Sequence, residues 1–169
     1  MATADWIRKL YAYNAWANAR VLAAAAGLSD AQLRKDRPGV ESVADTLRHG
    51  AQAQHYWWCF WTGAEWDRLP ELPATGVMEA ISEWFRSSHD ELRTFTASLD
   101  ESALEQLYED TDEEGRPEEV RLWEMMAHVV NHGTQHRSEA AAVLTVLGRS
   151  PGDLDFVDFV HASARGEAP

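Results

Sequence analysis

The sequence predicts an all-α fold, a four-helix bundle with a short C-terminal helix, in one domain that spans residues 1–169. Four segments carry apolar or small residues at alternating spacings of three and four, which is the period of packed helices and not of strands. Eight Trp residues and a hydrophobic content of 45% indicate a well-packed globule, and the length allows one sizeable core.

The four predicted helices are separated by connections of moderate length. Their stripes run over residues 6–24, 42–63, 78–99 and 122–147. Residues that typically cap or stop helices flank these stripes: Thr3, Gly27, Ser42, Gly63 and Gly148. Connections of roughly a dozen residues allow either a bundle of consecutive neighbours or a crossover topology.

The segments between the predicted helices are short or strongly polar. Residues 29–32 have the pattern of a capped single turn, and residues 65–75 contain two prolines and predict a loop. Residues 107–119 are acidic and rich in turn formers, so a solvated crossover and a small hairpin both fit them. Pro117 and the two glutamates after it also suit the first turn of the fourth helix, which leaves the start of that helix open.

A short terminal helix is predicted within residues 154–164. It follows Gly148 and Pro151, which end the fourth helix. Three of its apolar side chains are expected to be buried against the bundle: Phe156, Val157 and Phe159.

Net charge and cysteine content exclude several kinds of partner and site. The chain has 28 acidic and 15 basic residues and a formal charge of −13, so its surface repels nucleic acid and anionic lipid. No apolar run approaches the about 20 residues that span a bilayer, and the first residues do not resemble a targeting segment. Cys59 is the only cysteine and cannot form an internal disulfide, so we expect a reducing, cytoplasmic location.

The most informative residues are two histidines on the fourth predicted helix. His132 and His136 are four residues apart, so both imidazoles project from the helical face that also carries the apolar stripe. Polar groups that face a core are costly unless they are satisfied, and a divalent metal ion bound by both rings would satisfy them. Hydrogen-bonded core histidines at the same spacing are the alternative interpretation.

A third ligand is available on the second predicted helix. His49 borders the buried stripe of that helix, so we expect its ring not to point to water. Three nitrogen ligands with a free fourth position are the arrangement of catalytic zinc sites. A packing role for His49, with its ring bonded to a backbone carbonyl, is the alternative.

The other four histidines are assigned to different surroundings. His128 lies one turn before His132 and suits the edge of the core or a position behind the ligands. His55 lies about 120° around its helix from the face of the second-helix ligand and is expected to face elsewhere. His89 and His161 have no partner at a suggestive spacing, and we expect both to be exposed.

No other catalytic pattern competes with the histidines. The chain has no Gly-rich nucleotide-binding motif and no G-x-S-x-G nucleophile motif. A di-iron bundle needs Glu three residues before a ligand histidine, and Met125, Val129 and Gly133 occupy those positions. Cys59 lies among bulky aromatic residues, where burial raises the pKa of a thiol and makes it a poor nucleophile.

Several stretches of the chain carry recognisable motifs. They are residues 13–18 (YNAWAN), residues 46–49 with Tyr56 and Trp57, residues 122–137, and residues 147–156. Together these stretches resemble the DinB/YfiT-like metalloenzyme superfamily, a family of DinB-like four-helix bundles, over nearly the whole chain. The fourth-helix motif is the most specific of them.

The resemblance extends to the metal ligands. The family pattern on the fourth helix reads N-H-x-x-H-H-R-G-Q, and its first histidine and the second of the adjacent pair bind metal together with the second-helix histidine. The matching residues are His132, His136 and His49. Gln135 replaces the non-ligand histidine, and Ser138 and Glu139 replace the usual Gly and Gln.

The resemblance also implies a cofactor and a range of activities. Relatives bind one divalent ion, commonly zinc or nickel, and homodimers are frequent among them. Some resemble transferases or isomerases that use a low-molecular-weight thiol such as glutathione, mycothiol or bacillithiol. We therefore expect a metal-dependent enzyme of the thiol transferase or isomerase type, or a hydrolase-like enzyme, that acts on a small molecule and forms a homodimer.

Two questions stay open at the level of sequence. A non-catalytic metal-binding bundle with a structural, sensing or storage role is the alternative to an enzyme. No catalytic residue is assigned, because Glu139 and Asn14 are candidates for a general base by position alone. Arg137 suits either a substrate carboxylate or a surface acid.

Overall fold

The structure is a computed structural model that describes residues 3–37, 39–111 and 114–168. It confirms the all-α bundle with a short C-terminal helix, and it adds one small hairpin. The helices are α1 (Ala4–Ala25), α2 (Asp30–Leu33), α3 (Val43–Thr62), α4 (Val77–Ser98), α5 (Glu101–Leu104), α6 (Leu122–Val146) and α7 (Phe156–Ala164). The strands of the hairpin are β1 (Leu107–Thr111) and β2 (Pro117–Arg121).

The four long helices form a bundle with crossover topology. Both α1 and α3 pack against α4 and α6, so α1 lies diagonal to α3 and α4 lies diagonal to α6. The connections from α1 to α3 and from α4 to α6 therefore cross the end of the bundle, and these are the connections that contain α2, α5 and the hairpin. The sequence had allowed this topology without selecting it.

The predicted N-caps are confirmed, and α1 ends just before Gly27, where the sequence predicts a stop. Thr3 and Ser42 each accept a hydrogen bond from a backbone N–H in the first turn of α1 and α3. Helix α1 ends at Ala25, and Gly27 does not take the left-handed conformation of a stop signal. Gly27 instead makes room for Arg149, since a Cβ there would lie 2.2 Å from the guanidinium.

The short helix α2 supports the beginning of α4. Helix α4 begins after Gly76, which has no side chain to cap it. The carboxylate of Asp30 accepts hydrogen bonds from the backbone N–H groups of Gly76 and Val77, at 3.0 and 3.1 Å. A carboxylate at this end of a helix also interacts favourably with the helix dipole. The turn at residues 29–32 therefore substitutes for the missing cap.

The strands Leu107–Thr111 and Pro117–Arg121 form a hairpin, which the sequence had left as one of several possibilities. Strand β1 pairs antiparallel with β2, with Leu107 opposite Arg121 and Thr111 opposite Pro117. Of the two starts left open for the fourth helix, the one at Pro117 does not hold, because its segment pairs with β1 and α6 begins only at Leu122. Asp112 and Glu113, two of the acidic residues of this stretch, lie outside the described residues.

The terminal helix α7 packs on α1 through two of the three predicted side chains. Phe159 is fully buried, and Phe156 contacts the ring of Tyr13 edge to face, with centroids 5.3 Å apart. Val157 was predicted to be buried but is 54% exposed. At about 100° per residue it lies about 100° from Phe156 and about 200° from Phe159, so it points away from the face that these two residues bury.

A buried polar layer divides the core into two apolar clusters. One cluster includes Ile7, Leu92, Met126 and Phe159, and the other includes Val21, Val43, Ile81 and Leu144. On each long helix, polar residues lie between the two clusters: Asn14 and Asn18 on α1, Gln54 on α3, Ser88 on α4, and Arg137 on α6. The histidines predicted to bind metal lie at the level of this layer.

The bundle helices are amphipathic rather than uniformly apolar. In the part of the chain that the structure describes, no helix combines the length and the apolar character needed to cross a membrane.

Candidate metal centre

The three histidines predicted to bind metal lie together. His49 on α3 faces His132 and His136 on α6, and α3 and α6 are neighbours in the bundle. The Nε2 atoms of His49 and His132 are 3.2 Å apart, and one ligand nitrogen from each ring lies within 4.8 Å of the other two. Among the described residues this is the cluster whose donor atoms could hold a metal ion.

The separation of the rings suits a small divalent ion. Zinc binds imidazole nitrogen at about 2.0–2.1 Å, which puts two ligands of a tetrahedral ion about 3.3 Å apart. The observed 3.2 Å between His49 and His132 is close to that value. All three donors are imidazole nitrogens, a set that zinc and nickel both accept.

The electrostatics of the cluster keep two of its rings neutral. Burial, followed by positive charge on His136, His49 and His128, lowers the pKa of His132 to about 4. Burial and the neighbouring His136 also lower the pKa of His49. Metal ligands must be deprotonated, so both rings have free lone pairs at neutral pH.

Glu139 orients the third ring. The Nδ1 atom of His136 lies 2.9 Å from a carboxylate oxygen of Glu139, so Nδ1 carries the proton and Nε2 is left as the ligand atom. Partial burial alone raises the pKa of Glu139, but hydrogen bonds from Gln135 and His136 outweigh it and the net pKa is lowered. Glu139 is therefore ionised at neutral pH and holds the ring in the ligand tautomer.

The cluster lies at the edge of the bundle and opens to the outside. His49 is exposed, which corrects the expectation that its ring avoids water. Its position near the start of α3 places it beside the loop that precedes the helix, and the two line the same cavity. An open cavity of about 440 Å³ is lined by His49, His136, Glu139 and the loop residues Gly39, Val40 and Glu41.

A much smaller cavity lies on the inner side of the cluster. Its volume of about 20 Å³ is enough for about one water molecule. His132, His136, Arg137, Gln54 and Phe85 are among the residues that line it. The histidines thus separate an open outer cavity from a small inner one that reaches the buried polar layer.

Arg137 contacts neither a surface acid nor any other carboxylate within the described residues. It is 3% exposed and donates hydrogen bonds to the side-chain oxygens of Asn14, Asn18 and Thr134. Its guanidinium also lies over the ring of Tyr13, 5.5 Å from the centroid. Asn14 is therefore committed to Arg137 and is not available as the general base for which its position had made it a candidate.

Gly133 and Gln54 complete this buried network. A Cβ at Gly133 would lie 2.8 Å from Nη1 of Arg137 and 3.0 Å from the oxygen of Asn14, so only glycine lets the two side chains meet there. The Gln54 oxygen accepts a hydrogen bond of 2.6 Å from the amide of Asn14. Sequence analysis missed Asn18 and Gln54; the spacing of Asn14 and Asn18, four residues apart on one helical face, was the available signal.

His89 was expected to be exposed, but it is largely buried. Its Nε2 atom lies 3.0 Å from the side-chain nitrogen of Asn18, which connects it to the Arg137 network. Burial, followed by the charge of Arg137, lowers its pKa to about 4. The available signal was its place between Phe85 and Leu92 on the stripe of α4.

The remaining histidines and the cysteine lie apart from the cluster's donor atoms. His128 is exposed, and its ring stacks on His132 with centroids 5.7 Å apart, which places it at the edge of the site as predicted. His55 faces Glu91 and Cys59, away from the cluster, and His161 is exposed on α7. Cys59 is 2% exposed, and burial raises the pKa of its thiol.

Comparison with known protein families identifies the family to which this chain belongs. The family model described as the DinB family matches residues 1–167. The chain belongs to the DinB family. No curated protein matches it.

Membership of the DinB family agrees with the resemblance noted in the sequence, and the structure explains two of its motifs. The residues of the first-helix motif include Asn14 and Asn18, which bind Arg137 of the fourth-helix motif. This DinB family member carries Glu139 where the pattern has Gln, and that carboxylate contacts the candidate ligand His136 directly. The departure from the pattern therefore adds a negative charge beside the cluster.

Proposed function

We propose that this DinB family protein is a metal-dependent enzyme that transfers or rearranges a small molecule with the help of a low-molecular-weight thiol. His49, His132 and His136 bind one divalent ion, zinc or nickel. The observation that carries the proposal is the open cavity of about 440 Å³ beside His49 and His136. A catalytic ion needs a free coordination position that faces such a space, whereas a structural ion is enclosed by protein ligands.

The donor set leaves that position free. The cluster contributes three imidazole nitrogens, and no cysteine or carboxylate oxygen completes it among the described residues. The nearest carboxylate, Glu139, is engaged with Nδ1 of His136. A four-coordinate ion held here would therefore keep one position for a water molecule or a substrate.

The thiol has to come from outside the protein. Cys59 is the only thiol of the chain, and it is buried between α3 and the loop at Glu65, with a raised pKa. A bound divalent ion supplies Lewis acidity, which lowers the pKa of a thiol or water beside it. In the transfer, the thiol loses its proton, its sulfur bonds to an electrophilic carbon, and the leaving group takes the electrons of the broken bond.

The residues of the chain hold and shape the site around this chemistry. Glu139 fixes the orientation of His136, and its second oxygen accepts a hydrogen bond from Gln135 at 3.2 Å. Glu41 and Glu139 are the carboxylates that line the outer cavity and are within reach of a proton released there. The neutral rings of His49 and His132 add no charge that would repel a cation.

The test combines metal loading with a thiol assay. Zinc-loaded and nickel-loaded protein is assayed with a panel of low-molecular-weight thiols and electrophilic substrates, alongside the His136→Ala variant. His161→Ala serves as the matched control, since His161 is exposed on α7 and outside the cluster. We expect turnover that requires the metal, is lost in His136→Ala and is kept in His161→Ala.

A second measurement examines thiol binding without turnover. Cobalt(II) replaces the native ion, and each thiol is titrated while the sulfur-to-cobalt charge-transfer absorption is recorded. Metal-loaded protein that shows neither turnover nor a thiol-dependent band would overturn the proposal. It would favour the non-catalytic bundle with a structural, sensing or storage role.

A further inference from the structure

A second cavity lies between α1 and α4, away from the histidine cluster. Its volume is about 270 Å³, and most of its lining atoms are apolar. The side chains that matter for its chemistry are Arg8, Tyr11, Ala15, His89 and Arg93. None of these residues belongs to the candidate metal centre, so its ligand would be distinct from the substrate discussed above.

The proton positions around His89 follow from Arg137. Arg137 can only donate hydrogen bonds, so the side-chain oxygen of Asn18 must face it, at 3.0 Å. The side-chain nitrogen of Asn18 therefore faces His89 and donates to its Nε2, at 3.0 Å. In the neutral ring the proton is then on Nδ1. This N–H has no hydrogen-bond acceptor among the described residues.

An N–H in this largely buried place needs an acceptor. His89 lines the cavity, and a ligand that displaces water from this N–H has to supply an acceptor atom in its place. The lowered pKa of His89, to about 4, keeps the ring neutral and keeps Nδ1 a single, oriented donor at physiological pH. The cavity thus offers a ligand apolar walls and one oriented polar contact.

The charges around the cavity favour an anionic acceptor. At the rim, Arg8 forms a salt bridge with Asp5 and Arg93 forms one with Asp90, so the charges within each exposed pair largely cancel. Arg137, behind Asn18, is a buried cation with no carboxylate partner in the described part of the chain. Its field is weakly screened and makes this place positive within a chain whose formal charge is −13.

We propose that the cavity between α1 and α4 binds a small carboxylate with an apolar body, whose oxygen accepts the hydrogen bond of His89 Nδ1. The volume limits the ligand to the size of a single ring or a short chain. The hydrogen bonds from His89 through Asn18 reach Arg137, which directly follows the proposed ligand His136 in sequence.

Three probes that share one ring test the charge preference. Benzoate, benzyl alcohol and benzylamine are titrated into 15N-labelled full-length protein that has been freed of metal with a chelator. We expect benzoate to shift the amide resonances of residues 8–15 and 89–97, with a dissociation constant of about 1 mM or lower. Benzyl alcohol and benzylamine should bind about tenfold more weakly or not at all.

A pair of variants on α1 tests the location. Ala15 lines the cavity, and Ala15→Leu fills it, whereas Ala19→Leu makes the same change at an exposed position of the same helix. We expect Ala15→Leu to weaken benzoate binding by about tenfold or more and Ala19→Leu to leave it unchanged. If Ala15→Leu does not fold, the shift map of the unaltered protein decides the location.

The results that would overturn this inference differ from those that would overturn the proposed enzymatic function. Absence of benzoate binding, equal binding of benzyl alcohol, or shifts confined to residues around His49 and His136 would each overturn the inference. Benzoate that binds only when zinc is present would place the carboxylate on the metal and overturn it as well. Metal binding and thiol turnover are measured without these probes, so neither result decides the other.

Discussion

Glu139 holds the ring of His136 by a hydrogen bond of 2.9 Å to Nδ1, and so leaves Nε2 as the atom that faces the other two histidines. The two residues lie one turn apart on α6. A carboxylate in this position fixes the tautomer of a ligand histidine and raises its basicity. The relationship leads directly to a prediction about metal affinity.

The variant Glu139→Gln is expected to bind zinc or nickel about tenfold to a hundredfold more weakly, because it removes the charge that supports His136. Competition with a chromophoric chelator measures the affinity. Glu118→Gln, on the exposed strand β2, is the control and should bind as the unaltered protein does. Equal affinities of the two variants would show that Glu139 does not act on the metal ligand.

The buried network around Arg137 is expected to stabilise the bundle. Arg137→Met leaves the oxygens of Asn14 and Asn18 without their donor, and each unpaired buried group costs about 1–3 kcal/mol. We therefore expect the free energy of unfolding, from urea titration, to fall by about 2–4 kcal/mol. Arg93→Met removes an exposed guanidinium and should change it by less than about 0.5 kcal/mol.

A double-mutant cycle separates this network from a general loss of packing. Arg137→Met and Asn18→Ala remove two ends of one hydrogen bond, so their effects should be non-additive by about 1 kcal/mol or more. Strict additivity of the two changes would mean that the contact contributes nothing to stability.

Asp30 caps α4 from a neighbouring helix, and its loss should be measurable. Asp30→Ala leaves the N–H groups of Gly76 and Val77 without their acceptor. We expect the free energy of unfolding to decrease by about 1–2 kcal/mol, as for other lost N-caps. Asp36→Ala, at an exposed position after α2, is the matched control. A similar small effect of both variants would indicate that water replaces Asp30 at no cost.

The buried His89 predicts how the stability of the metal-free protein depends on pH. Its pKa is lowered to about 4 in the folded state, against 6.5 in the unfolded chain, so between these values the unfolded chain binds more protons. The free energy of unfolding therefore decreases as pH falls from about 6.5 to about 4, with a contribution near 1 kcal/mol per pH unit from this one group.

The variant His89→Asn tests that contribution. It removes the titrating ring, so the slope of stability against pH in this window should become shallower, although His132, whose pKa is also about 4, retains part of it. Urea titrations at several pH values between 4 and 7 measure the slope. An unchanged slope in the variant would contradict the assignment of His89 as a buried neutral ring.

The fold and the convergence of three histidines were predictable because they depend on local periodicity. The stripe of α6 contains His132 and His136 at helical spacing, and the stripe of α3 places His49 near its edge, so three rings on two helices could be expected to converge. The exposure of His49 depends on how far the preceding loop covers α3. That coverage is a feature of the tertiary structure, and helical periodicity alone does not predict it.

The residues that sequence analysis missed depend on which helices are neighbours. Asn14, Asn18 and His89 meet Arg137 only because α1 packs against both α4 and α6, and the connection lengths allowed other arrangements. An isolated arginine beside a ligand histidine gave no sign that its partners would be neutral amides. Val157 was misplaced for a simpler reason. Helix α7 packs on the bundle with one face, and Val157 does not lie on that face.

The most direct test of the metal centre is a crystal of zinc- or nickel-loaded protein, measured at the absorption edge of the metal. We expect one anomalous peak about 2.0–2.1 Å from a ring nitrogen of each of His49, His132 and His136, with a fourth position open to the outer cavity. A peak elsewhere, or one that His49 does not reach, would contradict the proposed metal centre.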